Sequence, residues 1–346
     1  MIQRFLAPMG AIATVVMVVL LQQMPVVGQQ APSAESRTPW GDPDLQGVYT
    51  FSTNTPLERP KFLGNKNTFA PEELAEIEAK ANQEYNQEDG PSRIFLPFAG
   101  ALEPTTASSD VQAGAASPAD VGTYNNFWTA TEKGRLLDRT SLIVDPEDGR
   151  LPSLTPRAEK LRVEFLSESA SRRVEGDTIY NNWADHPPFS RCLARPIPRI
   201  WQSYNHGVQI LQTPKYVAID YESMHDVRII PLDGRPHLDA SLQQWNGDSR
   251  GHWEGNTLVV DSANFSDKMQ FEGSYSWGPP QGNMHLTERF TRVDANTINY
   301  EVIVEDPTNW TKPFTFILPW RADDPVYQKP EDLYEYACHE GNFRMM

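Results

Sequence analysis

Cysteine is scarce in this chain of 346 residues: there are two, Cys192 in "FSRCLARP" and Cys338 in "YEYACHEGN". There is no C-x-x-C-H haem attachment, no G-x-S-x-G nucleophile elbow, no P-loop and no H-E-x-x-H pair. "GDSRG" (247–251) sets a serine between glycines, but at the wrong spacing for the elbow. Redox chemistry, nucleotide chemistry and the commonest hydrolytic and zinc chemistries therefore lack their signatures, and no cofactor is implied. Long apolar runs are missing too. The run 11–21 falls short of the roughly 20 residues that a membrane span requires. Positive charge is the minority sign, 30 Lys and Arg against 46 Asp and Glu. Nucleic acid and anionic membrane surfaces are excluded as expected partners. No internal repeat stands out.

What is present begins with a leader pattern. Arg4 precedes an apolar stretch from Phe5 to Leu21, and Val26-Val27-Gly28 supplies small residues before Gln29. The expectation is a secretory signal peptide over 1–28, a secreted or periplasmic location, and no membrane insertion after cleavage. The remaining 318 residues carry 29 basic and 46 acidic side chains, a net charge of −17, and suffice for a sizeable core. In an oxidising compartment two thiols tend to close, so a Cys192–Cys338 disulfide is expected. The rival reading, a metal site using Cys338 and His339, lacks the paired-ligand spacing of zinc sites.

Along the chain, 29–206 reads as an N-terminal region with a first strand in "TPWGDPDLQGVYTF" (38–51), two helices, and a Gly/Pro/Ser/Ala-rich loop at 89–120. "APEELAEIEAKANQEYN" (70–86) has Pro71 near its start and acids in its first turn. "LTPRAEKLRVEFLSES" (154–169) has Thr155 as N-cap and Pro156 at the first helical position. From Gly207 to the C-terminus the period becomes two. Strands are expected at 207–213, 215–222, 225–232, 256–265, 284–293, 297–306 and 312–321. Seven strands with tight connections predict a mainly β fold: an antiparallel meander, curved or closed into a barrel, with two peripheral helices and long N-terminal loops. A barrel mouth walled by aromatic and aliphatic side chains suits a hydrophobic or aromatic small molecule.

The strings "PWGDPDLQGVYT", "RTSLIVDPEDGRLPSLTP", "RIIPLDGRPHL", "WNGDSRGHWEGNTLVVDSANF", "ERFTRVDANTINYEVIVEDP" and "YEYACHEGN" resemble a family of exported, largely uncharacterised proteins of soil and marine bacteria. The resemblance covers nearly all of the chain after the leader and implies no particular reaction. A weaker resemblance is to the lipocalin-like calycin barrels. "LQGVYTF" stands where their first strand carries Gly-x-Trp, and Tyr49 replaces that tryptophan.

The polar clusters supply the candidate site. In "MHLTERFTRV", Glu288 shares its face with Leu286 and Phe290, so it is either a general acid or base in the barrel interior or a buried carboxylate paired with an arginine. His225 in "MHDVRII" stands at a strand end with a side chain suited to proton transfer near neutrality, or else caps the strand. His225 and Asp226 point to opposite faces and form no simple dyad. Asp233, in the turn of "PLDGRPHL", reads as structural, with His237 following in a loop. Asp248, Arg250, His252 and Glu254 crowd a loop entering a strand. His225 and Glu288 are thus the candidate catalytic residues, and Arg228, Asp248, Arg250 and His252 the binding or supporting ones. A metal site converging from His206, His225, His252, Glu254 or His339 has no spacing signature, and none is assigned. Two functions follow as expectations: a cofactor-free acid–base enzyme (lyase, isomerase, cyclase or hydrolase), or a non-catalytic carrier of the same ligand.

Overall fold

The computed structural model describes residues 36–85, 136–171, 173–174, 177–178, 181–186, 188–200, 205–271, 278–324, 327 and 329–338. The expected leader (1–28), the loop 89–120 and His339 lie outside the described residues. Described residues from position 36 onward belong to one compact unit.

Alternation of burial builds the sheet. In β11 (Thr297–Glu305) Ile298, Tyr300, Val302 and Val304 are buried while the residues between them are not, and β10 (His285–Arg292) and β12 (Phe314–Arg321) repeat the pattern. The other strands of this sheet are β1 (Gly47–Thr50), β2 (Ile143–Asp145), β5 (Gly207–Gln212), β6 (Tyr216–Tyr221), β7 (Asp226–Pro231), β8 (Asp248–Glu254) and β9 (Thr257–Ala263). A separate two-residue hairpin pairs β3 (Arg173–Val174) with β4 (Asp177–Thr178). All seven strands expected beyond residue 207 are present. β8 and β2 are additional.

The ten-stranded antiparallel sheet forms a nearly closed barrel, with neighbours in the order β7-β6-β5-β1-β12-β11-β10-β9-β8 and β2 alongside β12. Because β1 lies between β5 and β12, the N-terminal region contributes a stave to the same barrel as the C-terminal strands. The ring therefore contains nine strands joined by eight antiparallel junctions. Eight reversals of direction return the last strand to the sense of the first, so β7 and β8 run parallel where the ring meets itself. Parallel neighbours need a crossover rather than a hairpin, and residues 232–247 supply one of 16 residues between Pro231 and Asp248. No ladder joins β7 to β8 among the described residues. Side chains close the seam instead. Gly251 of β8 sits so close to β7 that a Cβ there would lie 2.8 Å from both Ile230 and Leu232.

Aromatic side chains pack inside the barrel. Trp320 packs within 4.9 Å of Tyr300, 5.3 Å of Phe290, 6.2 Å of Tyr221 and 6.4 Å of Phe51 between ring centroids. Tyr49 of β1 is buried. Its hydroxyl donates to the Leu45 carbonyl and accepts from Arg292, which also donates to the Asp44 and Ala295 carbonyls. Burial pushes the Tyr49 phenol up to about 12, against the pull of Arg292.

Two helices lie at the periphery, α1 (Pro71–Tyr85) and α2 (Pro156–Ser171). At the start of α2 the Thr155 hydroxyl accepts from the Ala158 N–H and donates to the Thr308 carbonyl, combining N-cap and tether. Leu161, Phe165 and Leu166 are half-buried. Cys192 and Cys338 form the expected disulfide, with a Cα–Cα distance of 5.8 Å.

Candidate functional site

Three groups of polar side chains surround the parallel seam. The first is buried. Alternation along β7 leaves Val227 and Ile229 outside and turns Arg228 inward. Its guanidinium meets Glu288 of β10 in a bidentate pair at 2.9 and 2.6 Å and donates also to Ser249 of β8 and Ser262 of β9 at 3.0 and 3.2 Å. Arg228 thus ties β7 to three strands across the seam that lacks a ladder. Glu288 accepts further bonds from Tyr300 at 2.7 Å and Ser262 at 3.2 Å. Burial pulls the Arg228 pKa down, but the Glu288 carboxylate outweighs it and holds the guanidinium charged. Desolvation, then the same carboxylate, keeps the Tyr300 phenol protonated.

The second group lies outside. The crossover 232–247 carries His237 onto the outer faces of β8 and β9. There His237 Nδ1 is 3.0 Å from Asp248 and its Nε2 is 2.5 Å from Asp261. The second oxygen of Asp261 lies 2.6 Å from His285 Nε2, and His285 Nδ1 is 3.2 Å from Glu305. Arg250 completes the chain with a 2.5 Å bond to Asp248 and another to the Pro236 carbonyl. Burial raises the Asp248 pKa, yet the Leu238 N–H, His237 and Arg250 outweigh it and the net direction is down. Asp261 is lowered chiefly by its bond with His285, and His285 is raised chiefly by the same bond.

The third feature is an open groove of about 760 Å³ at the mouth of the seam. It is lined by Asp226, Val227, Arg228 and Ile229 of β7, by residues 243–249 at the end of the crossover and the start of β8, and by Ser266, Asp267 and Lys268. Val227 and Ile229 are more than half exposed, and Trp245 adds an aromatic wall. Asp226 and Asp248 are engaged by Arg199 and by Arg250 with His237.

The residues singled out in the sequence divide among these groups. Arg228 and Glu288 are brought together, as the paired-carboxylate alternative anticipated. Asp248 and Arg250 form their ion pair but belong to a longer chain. His252 is exposed and pairs with Glu254 at 3.2 Å, which in turn holds Arg289 at 2.9 Å. His225 stands apart from Glu288. It occupies a single 3-10 turn before β7, with a left-handed φ of 47°, is exposed, and accepts a bond from the Tyr336 N–H at 3.0 Å. Neither His225 nor Glu288 lines the groove. His237, Asp261, His285 and Glu305 were not selected from the sequence. For Asp261 and His285 the signal was strand alternation, which turns both to the outer face that Arg250 shares. Among the described residues no group of three or more His, Cys, Asp or Glu side chains is arranged to hold a metal ion, and no helix is long and apolar enough to cross a membrane.

No protein-family model, curated protein or solved structure matches the chain. The functional reading accordingly rests on the barrel and its seam.

Proposed function

We propose that the protein is an exported small-molecule-binding module whose ligand is hydrophobic or aromatic and lies in the seam groove. The observation carrying this reading is the groove itself. Its volume of about 760 Å³ falls within the range of small-molecule sites, and it sets the apolar side chains of Val227, Ile229 and Trp245 among polar and charged groups that can orient a ligand. The aromatic cluster around Trp320 packs inside the barrel, where the ligand was expected, and this favours the seam as the binding surface. Export is supported by the leader pattern at 1–28 and by the disulfide between Cys192 and Cys338.

The catalytic alternative draws support from one contact: Arg228 both lines the groove and holds Glu288. A cofactor-free reaction would use Glu288 from beneath the groove floor, with His225 outside it. Incubating the purified protein with a set of neutral aromatic compounds, and following bound mass and product by mass spectrometry, separates the two. Ligand retained unchanged by the wild type and lost in Ile229→Lys and Trp245→Ala supports the carrier. Product formed by the wild type and abolished in a folded Glu288→Gln variant would replace it with the enzyme. Equal retention by wild type and both groove variants would refute the groove as the site.

A further inference from the structure

The outer chain of histidines and carboxylates poses a problem of proton count. A neutral imidazole has one N–H donor and one lone pair. His237 presents one nitrogen to Asp248 of β8 and the other to Asp261 of β9; His285 presents one to Asp261 and the other to Glu305 of β11. A neutral ring in either place sets a lone pair against a carboxylate oxygen, at distances of 2.5 to 3.2 Å. Only the imidazolium donates at both ends. With both rings charged, Arg250 and the two imidazolium ions balance Asp248, Asp261 and Glu305; with both rings neutral, two negative charges are left over. Farther along β10, Arg289 is held by Glu254 and Glu301 in a separate set.

His237 is the end of this chain that belongs to the crossover. The same 16 residues, 232–247, supply the groove wall from Gln243 to Gly247. Besides His237, the crossover is fastened by the Leu238 N–H to Asp248 at 2.8 Å, by Arg250 and the Asn264 amide to the Pro236 and Leu238 carbonyls at 3.0 and 2.9 Å, and by Gln244, whose N–H donates to the Asn264 carbonyl at 2.9 Å and whose carbonyl accepts from the Ser266 N–H at 2.8 Å. We propose that His237 and His285, sharing Asp261, form a proton-dependent latch that holds the crossover against β8 and β9, and that ligand retention in the groove weakens as pH rises. This inference rests on the groove reading for its ligand. The latch itself does not.

The direction follows from linkage. His285 is raised above its ordinary value, first by Asp261, with burial opposing and Glu305 assisting. A raised histidine contributes stability that is fully present below the ordinary value near 6.5 and is lost as pH climbs through the higher folded value. The His285 end of the latch is therefore closed in mild acid and released in mild alkali.

Amide hydrogen exchange across 236–247 at pH 5.5 and 8.5, corrected for intrinsic exchange rates, tests the latch without any ligand. Binding of N-phenyl-1-naphthylamine, a neutral aromatic probe, tests its consequence. In the wild type, protection at Leu238 and Gln244 should fall by about tenfold between the two pH values and the probe's Kd should rise by about the same factor. His285→Gln and Asp261→Asn should show the low protection at both. Protection and Kd that are flat with pH in the wild type would overturn the proposal. A pH-dependent protection with no probe bound at any pH would uphold the latch and overturn both its link to a ligand and the groove. A pH-dependent protection with an unchanged Kd would overturn the link alone.

Discussion

Arg228 and Glu288 neutralise each other in a buried site beneath the groove, and Ser249, Ser262 and Tyr300 add hydrogen bonds to the pair, leaving the Arg228 Nε without a partner. Removing one partner strands a buried charge, which costs far more than the pair contributes. Glu288→Gln is therefore expected to lose roughly 3–5 kcal/mol in urea unfolding, while a double replacement of Arg228 and Glu288 by Met and Leu loses less than Glu288→Gln alone. A single-variant loss below about 1 kcal/mol would place the pair outside the stabilising network. The Glu288 environment was legible because strand alternation sets its face regardless of partner. Its partner was not, since Arg228 lies 60 positions away and comes within reach of β10, across β8 and β9, only in the folded order. His225 illustrates the converse. Its place before a strand was readable, but the left-handed turn through Met224 and His225 that directs it toward Tyr336 leaves no periodic trace.

At the scale of elements, the parallel seam is the unusual feature, and it follows from an odd number of staves. β10, β11 and β12 were legible because aliphatic and aromatic residues alternate with polar ones throughout. β8 was not. Its inward positions are Ser249, Gly251 and Trp253, and the first two look like loop residues until the nearness of β7 explains them. Ser249 is small enough to accept Arg228, and Gly251 lets the two backbones approach. Gly251→Ala should push Ile230 or Leu232 aside, costing about 1–3 kcal/mol and weakening retention of a groove ligand, as read by thermal unfolding and by probe binding. An unchanged Tm would show that the seam has slack at this point. The crossover was equally opaque: "PLDGRPHL" has turn composition, and nothing local says that His237 will lie over Asp261.

For the molecule as a whole, the disulfide fastens the segment after residue 188 to the C-terminal segment across a separation of 146 residues. On the chain-entropy account its reduction should lower stability by about 3–5 kcal/mol. Titration of the unfolded, unreduced protein should detect no free thiol, whereas two would remove the bridge. The barrel class was readable from period-two segments and short connections. The filling of its interior was not, because the same aromatic residues that could wall a cavity pack instead around Trp320. On the proposed reading that difference places the ligand at the seam and not on the barrel axis, and it is what a direct measurement must address. Backbone amide chemical-shift mapping with N-phenyl-1-naphthylamine does so. The account predicts that the largest perturbations fall on Val227, Ile229, Trp245, Gly247 and Lys268, with the amides of Phe290, Tyr300 and Trp320 unmoved. Perturbations concentrated on those interior aromatics, with the seam residues silent, would contradict it.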